Sequence, residues 1–450
     1  AVAAYSVSTT VLEDCTNSGD ITFGKVDWAA ARFTLGGVVG YGDNNAGQVK
    51  GCSNSGNITL QGSVAGYANY GAAGGIAGRT AASVTGCGGL AIANKACGNT
   101  GKITSSIATT AAEMALGGVA GSVYSLSVSD CRNEGEIIYN VQTNESGFCK
   151  AFYLGGALGA VIPSAAGELG YENISNTAPI TVNGTPAALA IKTGGAAGRN
   201  NASRDDMTDA NRIAIGGVAG RVIPSATGAT TTMKGCSNSG SISAPDAGKI
   251  RYTAFGGVCG EIIAASLVQS GCSNSGDISV ARAYNDGTNL HLGGLVGFIP
   301  NKKFADARIS IVEGTNTGNI SLSEINNTIQ EARAGGILGD AVSCSDTKYL
   351  TLVVENCVNR GNISRTSNKR FASQSFGGGI DRRLLTDFLS VPSESLNILV
   401  GSKPLNDQEC SDRFKLGVLK YLNEQYGITE TANGNLLVAA TALARNAGAK

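Results

Sequence analysis

The chain is poor in charge, proline, histidine and tryptophan. Only 15% of its 450 residues are charged, with 34 Lys and Arg against 34 Asp and Glu, and it has 8 Pro, 1 His and 1 Trp. A net charge of zero gives no field to steer the chain to nucleic acid or acidic lipid. Few prolines and 42% hydrophobic residues exclude the collagen-like and disordered classes. Because no apolar run reaches about 18 residues, we expect no transmembrane segment.

Metal-binding and catalytic motifs are also missing. The 12 Cys form no Cys-x-x-Cys pair, and the single His291 supplies neither a zinc set nor a triad. We therefore expect His291 to be a packing or exposed residue. The chain opens with Ala1-Val2-Ala3 instead of Met, which favours a mature, processed or excised form.

Glycine is abundant, with 64 residues, and much of it falls in a repeat. One half of the repeat is Gly-Gly-apolar-x-Gly and the other is Cys-x-Asn-x-Gly-x-Ile, as in 52–58. The halves alternate to about residue 380, mostly 34 to 45 residues apart, except that no Asn motif separates Gly194 from Gly216. Fixed motifs with variable spacing are typical of a solenoid with loops. The double glycines begin at Gly36, Gly74, Gly117, Gly155, Gly194, Gly216, Gly256, Gly293, Gly335 and Gly377.

The Asn motif predicts a corner between strands. Its Cys, Asn, Gly and Ile alternate at a spacing of two, which places them on one face of a strand, while Asn-Ser-Gly favours a bend. We expect the Asn amides to bond to their own or the next coil and form a ladder, and the Cys to stack inward as small hydrophobes. The double glycine predicts a close approach of backbones. The predicted ladder residues are Cys52, Asn54, Gly56, Cys236, Asn238, Gly240, Cys272, Asn274 and Gly276.

These patterns predict an all-β fold, a right-handed parallel β-helix (solenoid) of about ten coils over residues 1–380. Each coil is expected to hold three short strands, and ten coils at about 4.8 Å would make a rod of roughly 45–50 Å. A propeller is the alternative, since its blades also have about 40–45 residues, but ten blades exceed the usual range of about 4–8.

The pattern changes after Gly379. Apolar residues then follow a helical period at 384–389, after a candidate N-cap at Ser411, and at 435–447. We predict that residues 381–450 form a small helical C-terminal cap or docking domain, because the last coil of a solenoid exposes strand edges.

The repeat resembles the GLUG repeat family of bacterial surface proteins. The similarity rests on Leu-Gly-Gly-Val-x-Gly (35–40, 116–121) and on Gly-Cys-Ser-Asn-Ser-Gly-x-Ile (235–242, 271–278), and it covers roughly residues 10–380. Where this chain has Ser-Asn, the family often has an aromatic or small residue. Such repeats occur in adhesin-like and other large exported proteins, notably of Bacteroidetes-type bacteria. The resemblance implies an extracellular or cell-surface location, associated with the outer membrane, and no reaction.

Local sites are few. Asp205, Asp206 and Asp209, in the polar insertion at 199–214, are weak candidate ligands for Ca²⁺, and a solvated loop is the alternative. Acidic residues such as Asp20, Glu134, Asp277 and Glu355 are scattered instead of paired as a glycosidase requires. The aromatic residues considered for stacking on sugars, against packing, are Trp28, Tyr41, Tyr70, Tyr124, Tyr139 and Tyr153.

The sequence therefore predicts a non-enzymatic, exported structural or interaction protein without a cofactor: an adhesin, stalk or surface-assembly subunit whose partners are other surface proteins or glycans. One alternative is a β-helix protein that binds or degrades polysaccharide, as a lyase or glycosidase. Another is a filament subunit that docks through its chain ends.

Overall fold

The computed structural model describes twenty segments of the chain. They are residues 3–6, 10–24, 32–42, 47–64, 70–81, 83–85, 98–109, 113–125, 127–140, 151–163, 168–184, 212–223, 230–245, 252–281, 289–301, 306–323, 331–343, 349–365, 371–374 and 396–402. The regular structure in these segments is β-strand. A helix long and apolar enough to cross a membrane does not occur among them.

Strands from successive coils pair in parallel to form five sheets, numbered here from the double glycine onward. Sheet 1 contains Arg32–Gly36, Tyr70–Gly74, Glu113–Gly117, Ala151–Gly155, Arg212–Gly216, Tyr252–Gly256, Asn289–Gly293, Glu331–Gly335 and Phe371–Gln374. Sheet 2 contains Ala3–Ser6, Val39–Gly42, Ala77–Thr80, Ala120–Val123, Leu158–Val161, Ala219–Val222, Cys259–Ile262, Val296–Asn301 and Leu338–Ser343. Sheet 3 contains Val11–Glu13, Gln48–Lys50, Ser83–Thr85, Ser127–Ser129, Glu168–Glu172, Thr230–Lys234, Ser266–Ser270, Asp306–Val312 and Tyr349–Asn359.

The last two sheets lie on either side of the asparagine. Sheet 4 contains Thr16–Asn17, Ser53–Asn54, Gly98–Asn99, Arg132–Asn133, Ser175–Asn176, Ser237–Asn238, Ser273–Asn274 and Thr315–Asn316, and ends on the last residues of Tyr349–Asn359. Sheet 5 contains Ile21–Phe23, Ile58–Val64, Ile103–Thr109, Ile137–Asn140, Ile180–Asn183, Ile242–Ala244, Ile278–Ala281, Ile320–Ser323 and Ile363–Arg365. Nine strands at about 4.8 Å give a rod of roughly 40 Å.

Two apolar cores run along the rod and are separated by the pair of sheets 1 and 2. One core lies between sheets 5 and 1, where residues such as Ile278 and Phe255 are buried. The other lies between sheet 2 and sheets 3 and 4, where Val222 and Cys272 are examples. Alternation along each strand explains this division, because successive side chains point to opposite faces of a sheet. Sheets 1 and 2 therefore lie back to back, with a third set of side chains between them.

The double glycine makes the tight connection from sheet 1 to sheet 2. A Cβ built on Gly256 would lie 1.9 Å from the carbonyl oxygen of Cys259 and 2.7 Å from the amide nitrogen of Gly297 in the next coil. A Cβ on Gly257 would lie 2.1 Å from the carbonyl oxygen of Gly294. Both positions exclude any side chain, which is why the pair recurs in each described coil.

The predicted parallel β-solenoid is confirmed, with two corrections to its interior. Each coil has five short strands instead of three, because the double glycine folds one strand back on another and the Asn bend divides a second. Each row has nine strands, close to the ten predicted. Gly155 pairs directly with Gly216, and the copy of the motif at Gly194 lies outside the described residues.

Within 381–450, where a helical cap was predicted, the structure describes a strand at 396–402. Leu396–Ser402 pairs antiparallel with Tyr349–Asn359, the last strand of sheet 3, and covers that strand's edge. The predicted helices at 384–389, after Ser411 and at 435–447 lie outside the described residues.

Candidate functional site

A continuous hydrogen-bonded ladder of asparagines runs along the corner between sheets 4 and 5. Each Nδ2 donates to the Oδ1 of the asparagine in the next coil at 2.7 or 2.8 Å and to the carbonyl oxygen two residues further along its own chain. Asn54, Asn238 and Asn274 are almost fully buried, so every amide hydrogen replaces a bond lost to water. The ladder consists of Asn17, Asn54, Asn99, Asn133, Asn176, Asn238, Asn274, Asn316 and Asn359.

Free thiols lie two residues before several of these asparagines and face the core behind sheet 4. Cys236 donates to the carbonyl oxygen of Tyr171 at 3.4 Å, and Cys272 donates to that of Met233 at 3.6 Å. The hydrogen bond with Cys272 and burial raise the pKa of the Cys236 thiol. Their place in the apolar core makes these thiols packing residues, which act as small hydrophobic groups. Gly56, Gly240 and Gly276 each bring their coil within contact of the glycine or alanine carbonyl one coil earlier.

A separate layer of small, aromatic, polar and charged side chains fills the space between the back-to-back sheets 1 and 2, which we call the inter-sheet slot. Sheet 2 contributes, in register, Tyr41, Arg79, Ser122, Ala160, Arg221, Glu261, Phe298 and Asp340. Sheet 1 contributes Thr34, Ala72, Ala115, Tyr153, Ala214, Ala254 and His291.

The slot is packed by complementary sizes within most coils. The two slot residues of a coil are always seven positions apart, as in Ala72 with Arg79, or Tyr153 with Ala160. In most of these pairs a large side chain on one sheet meets a small one on the other, which is how two surfaces at fixed separation fill space. Unlike the two apolar cores, this layer accepts charge.

Arg221 is the centre of a buried charged cluster in the slot. Its side chain is 1% exposed, its Nε lies 3.2 Å from Oε2 of Glu261, and Nη1 lies 3.9 Å from Oε1 of the partly exposed Glu113. The guanidinium also packs over the ring of Tyr153 and donates to its hydroxyl. Two carboxylates and a ring thus compensate the desolvation of one cation.

His291 takes part in a smaller cluster near the C-terminal end of the slot. Its ring stacks on Phe298 with centroids 4.1 Å apart, and its Nδ1 lies 3.2 Å from Oδ2 of Asp340. Both His291 and Asp340 are buried. Of the two alternatives for His291, packing and exposure, the structure shows packing. The neighbouring carboxylate of Asp340 was not indicated by the sequence.

Arg79 lies among three of the tyrosines considered for sugar stacking. Its Cζ is 4.0 Å from the ring centroid of Tyr124, 5.0 Å from that of Tyr41 and 5.5 Å from that of Tyr70. Tyr70 is buried, and burial raises its pKa. Arg79, Tyr41 and Tyr124 are each partly exposed. We call these four residues the arginine–tyrosine cluster.

The slot opens on the flank of the rod where sheet 1 strands begin and sheet 2 strands end. The connections from sheet 5 to sheet 1 enter there, and their lengths differ widely: one joins Thr109 to Glu113, and another joins Asn183 to Arg212. Variable segments next to partly exposed aromatic and charged side chains are where a rigid scaffold normally carries its binding residues.

The other sequence-derived candidates lie elsewhere. Tyr139 stacks on Phe152 in the core between sheets 5 and 1. Asp20 and Asp277 lie at equivalent corners and each accept a backbone N–H from the next coil, at 2.7 and 2.8 Å. Glu134 pairs with Arg132 on the surface. Trp28, Asp205, Asp206 and Asp209 lie outside the described residues, and the side chain of Glu355 is not described.

No group of three His, Cys, Asp or Glu side chains suited to a metal occurs within the described segments. The residues missed by sequence reasoning are Arg79, Arg221, Glu261 and Asp340. The sequence pattern that could have identified them is a polar or aromatic residue five positions after the first glycine of each double glycine. Comparison of the chain with protein-family models, curated proteins and solved structures found no match.

Proposed function

We propose that this chain is a non-enzymatic, exported interaction scaffold of a bacterial cell surface, an adhesin, stalk or assembly subunit that presents variable segments on a β-solenoid. The observation that carries the proposal is the contrast between a uniform interior and connections of widely different length. The asparagine ladder and double glycines repeat almost unchanged, while the connections that enter sheet 1 vary in length beside the mouth of the slot. The resemblance to GLUG repeats supports an exported location.

Surface labelling tests the location. Antibodies against the purified chain should stain intact producer cells, and brief protease treatment of intact cells should remove the signal. Staining that requires permeabilised cells would contradict export.

Loop exchange tests the scaffold role. Replacing 185–211 with a short Gly-Ser linker should preserve the thermal unfolding midpoint, because strands Ala151–Gly155 and Arg212–Gly216 already pair directly. Adhesion of beads coated with the chain to host or neighbouring cells should change with the exchange. The same adhesion after exchange of every long connection would count against the proposal.

A glycan-directed function is the second candidate, because the arginine–tyrosine cluster combines aromatic rings with a cation at the slot mouth. Incubation with neutral and acidic polysaccharides, followed by chromatography of the products, separates binding from degradation. New reducing ends or unsaturated products would identify a glycosidase or a lyase.

A further inference from the structure

We propose that the arginine–tyrosine cluster binds the carboxylate of an acidic polysaccharide, such as a uronic acid polymer, with Arg79 as the anion ligand and Tyr41 and Tyr124 as the platform for the sugar ring. The inference deepens the glycan-directed candidate function and rests on it.

The first argument is the set of contacts that the Arg79 guanidinium makes. Its Cζ lies 4.0 to 5.5 Å from the centroids of three tyrosine rings, which limit the positions that the guanidinium can occupy. Ring contacts of this kind use the faces of a guanidinium and leave its in-plane N–H donors available. In the part of the chain that the structure describes, Arg79 has neither a carboxylate nor a hydrogen-bond acceptor as a partner.

The second argument is the contrast with Arg221, which occupies the same row three strands further along. Arg221 is fully buried and paired with Glu261 and Glu113. At Arg79 the neighbouring row positions are Tyr41 and Ser122, which carry no negative charge. The same fold thus holds one arginine that is paired with two carboxylates within the slot and another that, among the described residues, contacts three tyrosine rings and no carboxylate.

The third argument concerns the kind of anion. A fixed guanidinium fork matches a carboxylate or another oxyanion through two parallel hydrogen bonds. The partly exposed rings of Tyr41 and Tyr124 add apolar faces beside the guanidinium. These faces can pack against a sugar ring but make no favourable contact with a small inorganic anion. Glu113, the register partner of Tyr70 on the next strand, disfavours a ligand that carries several negative charges on one sugar ring. A sugar that carries one carboxylate per residue fits all three features.

The test is binding of the purified full chain to polygalacturonate, measured by calorimetry, with dextran, dextran sulfate and inorganic phosphate as separate arms. Arg79→Gln should weaken polygalacturonate binding roughly ten- to a hundredfold, as expected for loss of a charged hydrogen-bonding group. Arg79→Lys, which keeps the charge and loses the two parallel N–H donors of the guanidinium, should have an affinity between those of the parent and Arg79→Gln. Arg132→Gln, which removes an exposed arginine on sheet 4, is the matched control and should bind as the parent does.

Each outcome decides. Polygalacturonate binding that Arg79→Gln leaves unchanged would overturn the site, and binding of dextran sulfate or phosphate in preference to polygalacturonate would overturn the ligand class. No binding to any acidic polymer would overturn the inference as a whole, while surface labelling and loop exchange would still test the scaffold function separately. Equal thermal midpoints for parent and variants establish that losses are local, and Arg79→Lys serves if Arg79→Gln fails to fold.

Discussion

Asn238 donates its Nδ2 hydrogens to Oδ1 of Asn274 at 2.8 Å and to the carbonyl oxygen of Gly240 at 2.8 Å. Asn274 repeats the arrangement toward Asn316 and Gly276. One side chain therefore closes the bend of its own coil and joins that coil to the next. Because each amide is both donor and acceptor in a buried chain of identical groups, the bonds polarise one another in the same direction along the rod.

Removing one member of the ladder should cost far more than removing an exposed asparagine. In Asn274→Ala, the Nδ2 of Asn238 loses its acceptor, and Oδ1 of Asn316 and the carbonyl of Gly276 lose their donor, all in a buried site. We expect a loss of about 3 kcal/mol in the free energy of unfolding, measured by urea denaturation. Amide hydrogen exchange should rise in the coils on both sides of residue 274.

Asn319→Ala is the matched control for that variant. Asn319 is exposed, and its Oδ1 accepts one bond, from the backbone N–H of Asn362 at 3.1 Å. Its loss should cost less than about 1 kcal/mol. Equal destabilisation by the two variants would show that the ladder adds nothing beyond an ordinary surface bond.

The double glycine should tolerate no side chain at its second position. In Gly257→Ala, the new methyl group would meet the carbonyl oxygen of Gly294 and the carboxamide of Asn274, and neither can retreat without breaking the ladder. We expect a cost of about 3 kcal/mol or more, with a lower soluble yield. Gly170→Ala is the control, since a Cβ there meets nothing within 4 Å, and its unfolding midpoint should be unchanged or slightly higher.

Repetition made much of this fold predictable. The spacing of Asn and Gly predicts coils, a corner between strands and a close approach of backbones, because the same residues are needed at the same places in every coil. The division of the interior into two apolar cores and the inter-sheet slot was not predictable in the same way. The sequence predicts that a strand ends at Leu35 and Gly36. Only the structure shows that the next strand folds back against this strand and creates the inter-sheet slot.

The contents of the slot were harder to predict for a physical reason. Residues such as Arg79, Glu261 and Asp340 share a position but not a residue type, since a row between two sheets requires complementary volume and charge instead of identity. Tyr41, Tyr70 and Tyr124 were singled out as aromatic residues. Their shared neighbour Arg79 follows from register, which links residues about forty positions apart.

The Arg221–Glu261 pair should behave as a buried ion pair whose halves depend on each other. Arg221→Met removes the guanidinium partner of Glu261, whose side chain is buried, and we expect a loss of about 3–5 kcal/mol in unfolding free energy. The double variant Arg221→Met with Glu261→Met removes both charges and should recover most of that loss. Arg132→Met, which breaks the exposed pair with Glu134, should cost less than about 1 kcal/mol. Additive losses in the double variant would show that the two charges do not compensate each other.

Stability should fall as the pH rises into the alkaline range. Burial raises the pKa of Cys259, Tyr70 and Tyr171. Above about pH 8.5 for thiols and about pH 10 for tyrosines, the unfolded chain loses these protons while the folded chain keeps them. The folded state then binds more protons, so its stability is complete below those values and decreases above them, by up to about 1.4 kcal/mol per pH unit for each group.

Cys259→Ala isolates one of these groups, because the neighbouring strand has Ala219 at the same register and the site accepts a methyl group. Urea unfolding at pH 7, 8.5, 9.5 and 10 should show a small loss at pH 7 and a shallower decline above pH 8.5 than in the parent. Val222→Ala, in the same sheet and core, lowers stability by cavity formation and should shift the curve down without changing its slope. An unchanged slope in Cys259→Ala would mean that this thiol ionises equally in the folded and unfolded chains, and that the alkaline loss arises from the tyrosines.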